Sequence, residues 1–537
     1  MTAPVTRAAP VGATLQRWRY AALIALGLLI LRLPAILHGY DIDDEGLHAL
    51  VTSVWVDGGR PYIDVVERKP PLQYGLYAVI FGVAGRFNMT AVHVTVALWT
   101  LATMWGLSVA ARRLFGRRAG VAAAILYGIY SGFGPYQNLA LNGEISLNLP
   151  VAWALALAFS PARNAWRPAL LGAGVLLGCA FLFKQPAAVM AAAVGLYVLL
   201  PSYRRARGLD LSHALVHAAL LTVGFLLPVA GAVAFLRARG SLDDALFWCF
   251  RHHDMPHGPA DIIFWERFII GSAWFGLACF PLLMAARAAL ARRNLQTTWR
   301  GKEAERLALI LLLAFGLAGV SASGRFYLHY FLLLIPALAL AAAPTLARLW
   351  DGTMPDGPWP LRRRALPRVL TLTAVAFFIV HAVSLASRHT GSESARFVRE
   401  NSSEQDRLFV WGELPRVYVE ARRRPATRYI GTYPLTGFPY GGVISYEPAY
   451  TNTDGRIVAG AWDIAMRELE ASRPRYIVDV EARCATPRYP ISRYPPLARL
   501  VEGQYRRVRD LRDGIVYERV SPGPAKVPPP LPGATDP

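Results

Sequence analysis

The chain has 537 residues, 54% of them hydrophobic, and a formal net charge of +21. Long uncharged stretches recur between short basic loops, which excludes a soluble globular core: stretches of that length cross a hydrocarbon layer of about 30 Å as helices. The charge does not imply a nucleic-acid partner, because cytoplasmic loops of membrane proteins collect Lys and Arg. Cys179, Cys249, Cys279 and Cys484 show neither disulfide nor metal spacing.

The first apolar stretch, 20–38, follows Arg17 and Arg19, which places the N-terminus inside. It lacks a small-residue cleavage site before Tyr40 and reads as a retained helix. Asp41, Asp43, Asp44, Glu45 and His48 come directly after it, and the same loop reaches Glu67, Arg68 and Lys69 before Pro70 and Pro71. Carboxylates so close to hydrocarbon are costly, so the acidic run is either a solvated helix boundary or part of a site. The basic loops at 112–118, 163–167, 204–208, 291–302 and 361–368 all fall inside only if the apolar stretch 70–85 does not cross. That stretch is therefore expected to be a juxtamembrane or re-entrant helix, within a first outer loop of 39–90.

The expected spans are 20–38, 91–111, 119–137, 145–160, 168–184, 186–201, 214–236, 267–289, 305–321, 328–346 and 367–387. They describe a polytopic α-helical membrane protein with about 11 transmembrane helices. The glycine-rich GAGVLLG at 172–178 lies inside one of these, where small residues serve helix packing rather than a nucleotide. An odd number of crossings carries the chain outside for a small α/β domain over 388–520. There DRLFVWGEL reads as a strand and turn, PRVYVEARRR as a helix, WDIAMRELEASRPRYIVDVE as helix then strand, and the segment after Tyr494 as a helix with two strands. Residues 521–537 form a proline-rich tail expected to be disordered or polyproline-like.

With this topology the unusual polar residues share the outer face. Glu144 follows Asn142 ahead of an apolar stretch, Lys184 separates two spans, RHHDMPHG holds His252, His253 and His257, and GRFYLHY holds Arg325 and His329. Only four lysines occur, and two of them, Lys69 and Lys184, sit beside apolar spans, where they either snorkel to the interface or serve a site.

The segments DEGLHAL, GGRPYIDVVERKPPLQYGLYA, NGEISLNL, LFKQPA and GRFYLHYFLLLIPALAL resemble those of the GT-C membrane glycosyltransferases. The similarity is to the family-39-like branch holding protein O-mannosyltransferases and the aminoarabinose transferases of lipid A, and it covers about 20–345. This resemblance implies an inverting transfer from a polyprenyl-phosphate sugar to an acceptor hydroxyl on a lipid, glycan or protein, in synthesis of the bacterial cell envelope. The protein would sit in the bacterial cytoplasmic membrane, with its site and C-terminal domain facing the periplasm. By position, Asp44 would be the catalytic base, with Glu45 and Glu144 the other acidic members. Lys69, Arg68, Lys184 and Arg325 would bind the donor phosphate, with His48 and His329 as possible additions. Arg68 stands where relatives often carry Glu, and Leu47 where an Arg is common; both leave the sugar and metal use open. Asp44, Glu144, His253 and His257 are the candidates for a divalent metal. A transporter or flippase for a lipid-linked substrate is the rival reading.

Overall fold

Helices account for most of the chain in the computed structural model, which describes residues 11–520 apart from 43, 160–165, 253–257, 292–297, 354–361, 388–390, 439–451 and 485–487. The expectations for Asp43, His253, His257 and the 521–537 tail therefore fall outside the described residues. The first part of the chain forms α1 (Val11–His38), α2 (Glu45–Val56), α3 (Pro71–Ala84), α4 (Met89–Phe115), α5 (Arg117–Tyr130), α6 (Gly143–Ala158), α7 (Trp166–Phe183), α8 (Ala187–Leu199), α9 (Pro201–Arg207) and α10 (Leu211–Ala238). Short α11 (Leu242–Leu246) precedes α12 (Ile262–Ala278), α13 (Phe280–Leu290), α14 (Glu303–Ser321), α15 (Ile335–Asp351) and α16 (Leu366–Ala386).

The polar residues between apolar runs start these helices as caps. Asn88 Oδ1 accepts from Ala91 N at 3.0 Å, Asn142 Oδ1 from Ile145 N at 3.1 Å, and Asp210 Oδ1 from His213 N at 2.8 Å. Each satisfies an amide that has no partner within its helix. The Gly-rich 172–178 run does serve packing: a Cβ on Gly174 would lie 2.2 Å from Leu221 O, and one on Gly224 would lie 2.2 Å from Leu171 O. Backbones of α7 and α10 thus meet at a distance only glycine permits.

Among the described residues five helices are long and apolar enough to cross a bilayer, namely Ala21–His38, Met89–Phe115, Leu211–Ala238, Glu303–Ser321 and Leu366–Ala386. Two more of the expected spans are bent pairs, α8–α9 at 54° and α12–α13 at 86°. The stretch 267–289 is therefore not one straight helix; it breaks at Cys279, ahead of Pro281 at the start of α13. The stretch 119–137 is also shorter than expected, because Gly132, Gly134 and Pro135 end α5 at Tyr130. The stretch 328–346 is displaced: Leu328–Leu333 forms a tighter 3₁₀ turn before α15 begins. From Ile335 to Ala347 α15 is buried throughout, so neighbouring helices surround it.

Helix α3 bears on the question raised by the basic loops. Lys69, just before it, bonds to Asp44, and His93, one turn into α4, bonds to Glu45. Both approaches to α3 thus abut adjacent residues of one connector. Its 14 residues extend about 21 Å at 1.5 Å per residue, short of the hydrocarbon thickness.

The C-terminal part begins with α17 (Glu393–Asn401) and contains a five-stranded mixed sheet. Strands β1 (Arg407–Trp411), β2 (Arg424–Pro425), β3 (Tyr476–Asp479), β4 (Tyr505–Leu511) and β5 (Gly514–Arg519) run in the order β2-β1-β3-β5-β4. Strand β1 pairs parallel with β2 and β3, while β5 pairs antiparallel with β3 and β4. Helices α18 (Arg416–Ala421), α19 (Tyr433–Thr436), α20 (Ala461–Ser472) and α21 (Pro495–Gln504) flank it. The parallel strands RLFVW and YIVD are buried along nearly their whole length, the pattern of a covered sheet centre.

Candidate active site

Asp44 occupies the cap position of α2, yet its side chain makes no capping bond. Its Oδ2 instead accepts from Lys69 Nζ at 2.9 Å, with the Asp44 side chain 40% exposed and that of Lys69 15%. Enclosure by protein would raise the Asp44 carboxyl, but the Lys69 ammonium, helped by His48, holds it well below the usual carboxylate range. Burial likewise opposes the charge on Lys69, and Asp44 and Glu67 more than restore it.

The turn carrying Lys69 is held from several sides. Glu67 Oε2 accepts from Lys69 N at 3.0 Å, from Tyr74 Oη at 3.1 Å and from Arg68 N. Tyr62 Oη donates to Lys69 O at 2.8 Å. Glu67 is buried, which would raise it, but Lys69 and Arg68 keep it on the ionised side. The sequence placed Glu67 in the loop without a task; its task is to fix the backbone that presents Lys69.

A second pair lies on the next helices. Lys184, at the end of α7, forms a short ion pair with Glu144, in the first turn of α6, and its Nζ lies 4.3 Å from the centre of the Tyr330 ring. A Cβ at Gly143 would come 2.8 Å from Lys184 Cδ, so the lysine stem passes where only glycine leaves room. His329 Nε2 is 4.0 Å from Glu144 Oε1, and its Nδ1 meets Gln137 Oε1 at 3.3 Å. Arg325 acts electrostatically on Tyr330, the same ring that underlies Lys184. Gln185 joins the two pairs: its Nε2 donates to Arg68 O and to Cys249 O, both at 3.0 Å. The only signal for it was its place directly after Lys184.

Glu45, expected among the catalytic acids, is enclosed instead. Its Oε2 accepts from Ile42 N and meets His93 Nε2, each at 2.9 Å, and Oε1 accepts from Leu141 N at 2.6 Å. With no exposed surface it ties α2 to α4 and to the 141 loop. Asp41, expected as solvated boundary, is another correction. Its side chain is only 8% exposed and faces Arg416 Nε of the C-terminal part at 3.4 Å. Burial raises it to about 6 against the pull of Arg416. His48, one turn after Asp44 on α2, is fully buried against Tyr74 and Tyr77, and neither ring nitrogen has a hydrogen bond. Burial, with Lys69 close by, lowers it to about 4 and keeps it neutral.

The sheet region closes over this loop. Val66 N donates to Arg428 O at 2.9 Å, and Arg424 pairs with Asp57 at 2.8 Å. Tyr433 lies under Arg68, with 5.9 Å from the guanidinium carbon to the ring centre, and also packs on His252. Glu413 accepts from Thr432 N at 3.0 Å and from its hydroxyl at 2.9 Å; burial pushes it up to about 7. Nothing in the sequence marked Tyr433 or Glu413. Among the described residues no group of three or more His, Cys, Asp and Glu side chains is arranged to hold a metal ion.

Residues 68–231 match the family model described as dolichyl-phosphate-mannose-protein mannosyltransferase. No curated protein matches the chain in sequence. Among solved structures it is similar to ArnT from Cupriavidus metallidurans bound to undecaprenyl phosphate, at 15% identity and a TM-score of 0.60, covering 94% of this chain and 98% of that one. It is also similar to the archaeal oligosaccharyltransferase AglB from Archaeoglobus fulgidus in complex with an inhibitory peptide and a dolichol-phosphate. There the identity is 12% and the TM-score 0.51, covering 94% of this chain and 74% of that one. The chain has the GT-C fold. Its long apolar helices make it an integral membrane protein, and the stretch matching the family model begins at Arg68 and includes Lys69, Glu144 and Lys184. In the GT-C frame the acidic connector after α1 and the turn before α3 meet at one place, as the sequence resemblance implied.

Proposed function

We propose that the chain is an inverting glycosyltransferase that moves a sugar from a polyprenyl-phosphate donor to an acceptor hydroxyl at the membrane face carrying α2 and the sheet region. The convergence of Asp44–Lys69 and Glu144–Lys184 carries this reading, since it sets a carboxylate beside cations at a membrane surface. Asp44 takes the proton of the acceptor hydroxyl as its oxygen bonds to the anomeric carbon. The bond from that carbon to the phosphate oxygen breaks, and polyprenyl phosphate leaves with the electron pair. Lys69 takes the charge developing on the leaving oxygen, assisted by Lys184 and Arg325. Arg68 sits between the loop and Tyr433, where it serves the approach side. The undecaprenyl phosphate and dolichol-phosphate bound in the two similar structures support a lipid-phosphate donor for this chain. The face is read as extracytoplasmic from the basic loops, and the membrane as that of a bacterial cell.

Incubating purified protein with radiolabelled polyprenyl-phosphate sugars and candidate acceptors tests the reading. Release of polyprenyl phosphate coupled to labelled acceptor is expected. An intact donor that changes sides in proteoliposomes would replace the enzyme by a flippase.

A further inference from the structure

A second cleft, of about 410 Å³, lies between the His38 end of α1, the α3–α4 turn and helices α17 and α18. It is separate from the paired lysines, although Asp41 on its wall is three residues from Asp44. Tyr40, Phe87 and Met89 line its membrane side, and Arg396, Arg399 and Arg422 its other side. Arg396 and Arg399 are one turn apart on α17, so they share a helix face.

The charges on this wall are not balanced in the same way. Glu420 accepts from Ser392 N at 2.6 Å and faces Arg416 at 3.4 Å, the guanidinium that also faces Asp41. Glu393 is met by Arg512, through its amide at 3.2 Å and its Nε at 3.9 Å. Each carboxylate therefore has a cation or amide that is not one of the three wall arginines. Arg399 donates only to a carbonyl, Glu420 O, at 3.1 Å, and no ion pair among the described residues reaches Arg396 or Arg422. The three carboxylates on the wall are thus met by Arg416 and Arg512, which leaves the charges of Arg396, Arg399 and Arg422 without a carboxylate partner among the described residues.

Its level is set by the apolar residues beneath it. Leu37, 74% exposed at the end of α1, and Val83, 87% exposed at the end of α3, present bare hydrocarbon immediately before the residues of the cleft. An exposed apolar belt capped by Tyr40 and then by arginines is the order met on passing from acyl chains to head groups. We infer that this cleft binds the phosphate head group of an anionic phospholipid of the surrounding bilayer, with Arg396 and Arg422 as its principal contacts. Guanidinium forks suit phosphate oxygens because two parallel N–H donors meet two acceptors. The bound lipid would also join α1 to α17, across the seam between the helical part and the sheet region. The inference stands independently of the glycosyl-transfer reading.

Native mass spectrometry of the full-length protein, equilibrated in micelles with equal phosphatidylglycerol and phosphatidylcholine, tests it without using transfer activity. The wild type should retain phosphatidylglycerol over phosphatidylcholine by about tenfold, the size of one charge-assisted hydrogen bond. Arg396→Ala with Arg422→Ala should bring the ratio to about one. Should that pair fail to fold, Arg396→Gln with Arg422→Gln reads the same ratio. Equal retention by wild type, or an unchanged ratio in a folded variant, overturns the inference. Inorganic phosphate retained by the wild type and lost from the double variant, with no phosphatidylglycerol retained by either, would identify a free anion as the ligand and overturn it as well.

Discussion

At Asp44 and Lys69 a single ion pair has two consequences. Asp44→Asn removes the proposed base while keeping the shape, so a folded, membrane-inserted protein should lose transfer by roughly 10²- to 10⁴-fold; full activity would remove Asp44 from the mechanism. Lys69→Ala should weaken donor use and raise the KM for the lipid-linked sugar, and an unchanged dependence on donor concentration would count against a phosphate contact. The second pair is more enclosed, with side chains 1% and 13% exposed. Glu144→Gln should strand the Lys184 charge and destabilise the fold by roughly 3–5 kcal/mol, whereas adding Lys184→Met should recover most of it. Thermal unfolding of both variants in detergent distinguishes this pair from an ordinary surface bridge. The sequence could single out Asp44, Lys69, Glu144 and Lys184 because charge beside an apolar run is visible in one dimension. The resemblance favoured Asp44 as the base but kept Glu45 among the site's acids, because the burial of Glu45 depends on His93 and the Leu141 amide, residues far away along the chain.

Among the elements, α3 and the α7–α10 contact show what patterning does and does not contain. The parity of basic loops read α3 as a helix that does not cross, and its 14 residues are short for a span; charge asymmetry carries that reading because it is a property of the whole chain. Breaks such as Cys279 and the turn after Tyr130 were missed, because hydropathy averages over the few residues where a helix stops. The glycine run was read as packing, but its partner helix needed the structure. Gly174→Val places a branched side chain where Leu221 O already stands at 2.2 Å. Overpacking of this kind costs about 1–3 kcal/mol, more where backbone is the obstacle. A lower melting temperature in detergent is expected, and an unchanged one would refute the close crossing.

Over the whole molecule, the sheet region is part of the site's enclosure rather than an appended unit, through Tyr433, Glu413 and Arg416. Its strands were legible as apolar runs, but its place over Arg68 was not, as docking leaves no periodic signal. Glu413 gives this contact a pH signature. A carboxyl raised to about 7 in the fold from an ordinary value near 4.5 binds more protons folded than unfolded across that interval. Stability should therefore fall as pH rises from 4.5 to 7 and level off above it. Glu413→Gln keeps an acceptor for Thr432, so it should flatten that slope in thermal melts; a slope as steep as the wild type would mean another group is responsible. The orientation has its own check. In a variant keeping only the exposed Cys484, a membrane-impermeant maleimide should label intact cells, whereas a lone cysteine at Arg117 should need permeabilised ones.

The Asp44–Lys69 bond closes a loop of the chain, joining residues 25 apart. An anion that claims the Lys69 ammonium must loosen its hold on Asp44, since one point charge is then shared between two partners. In the proposed mechanism the clasp would keep the carboxylate occupied until a phosphate arrives, and so would guard the protein against idle chemistry with water. Opening it frees the base and slackens the α2–α3 connector together, so a bound lipid phosphate should raise amide exchange at residues 60–69 even as it fills the site.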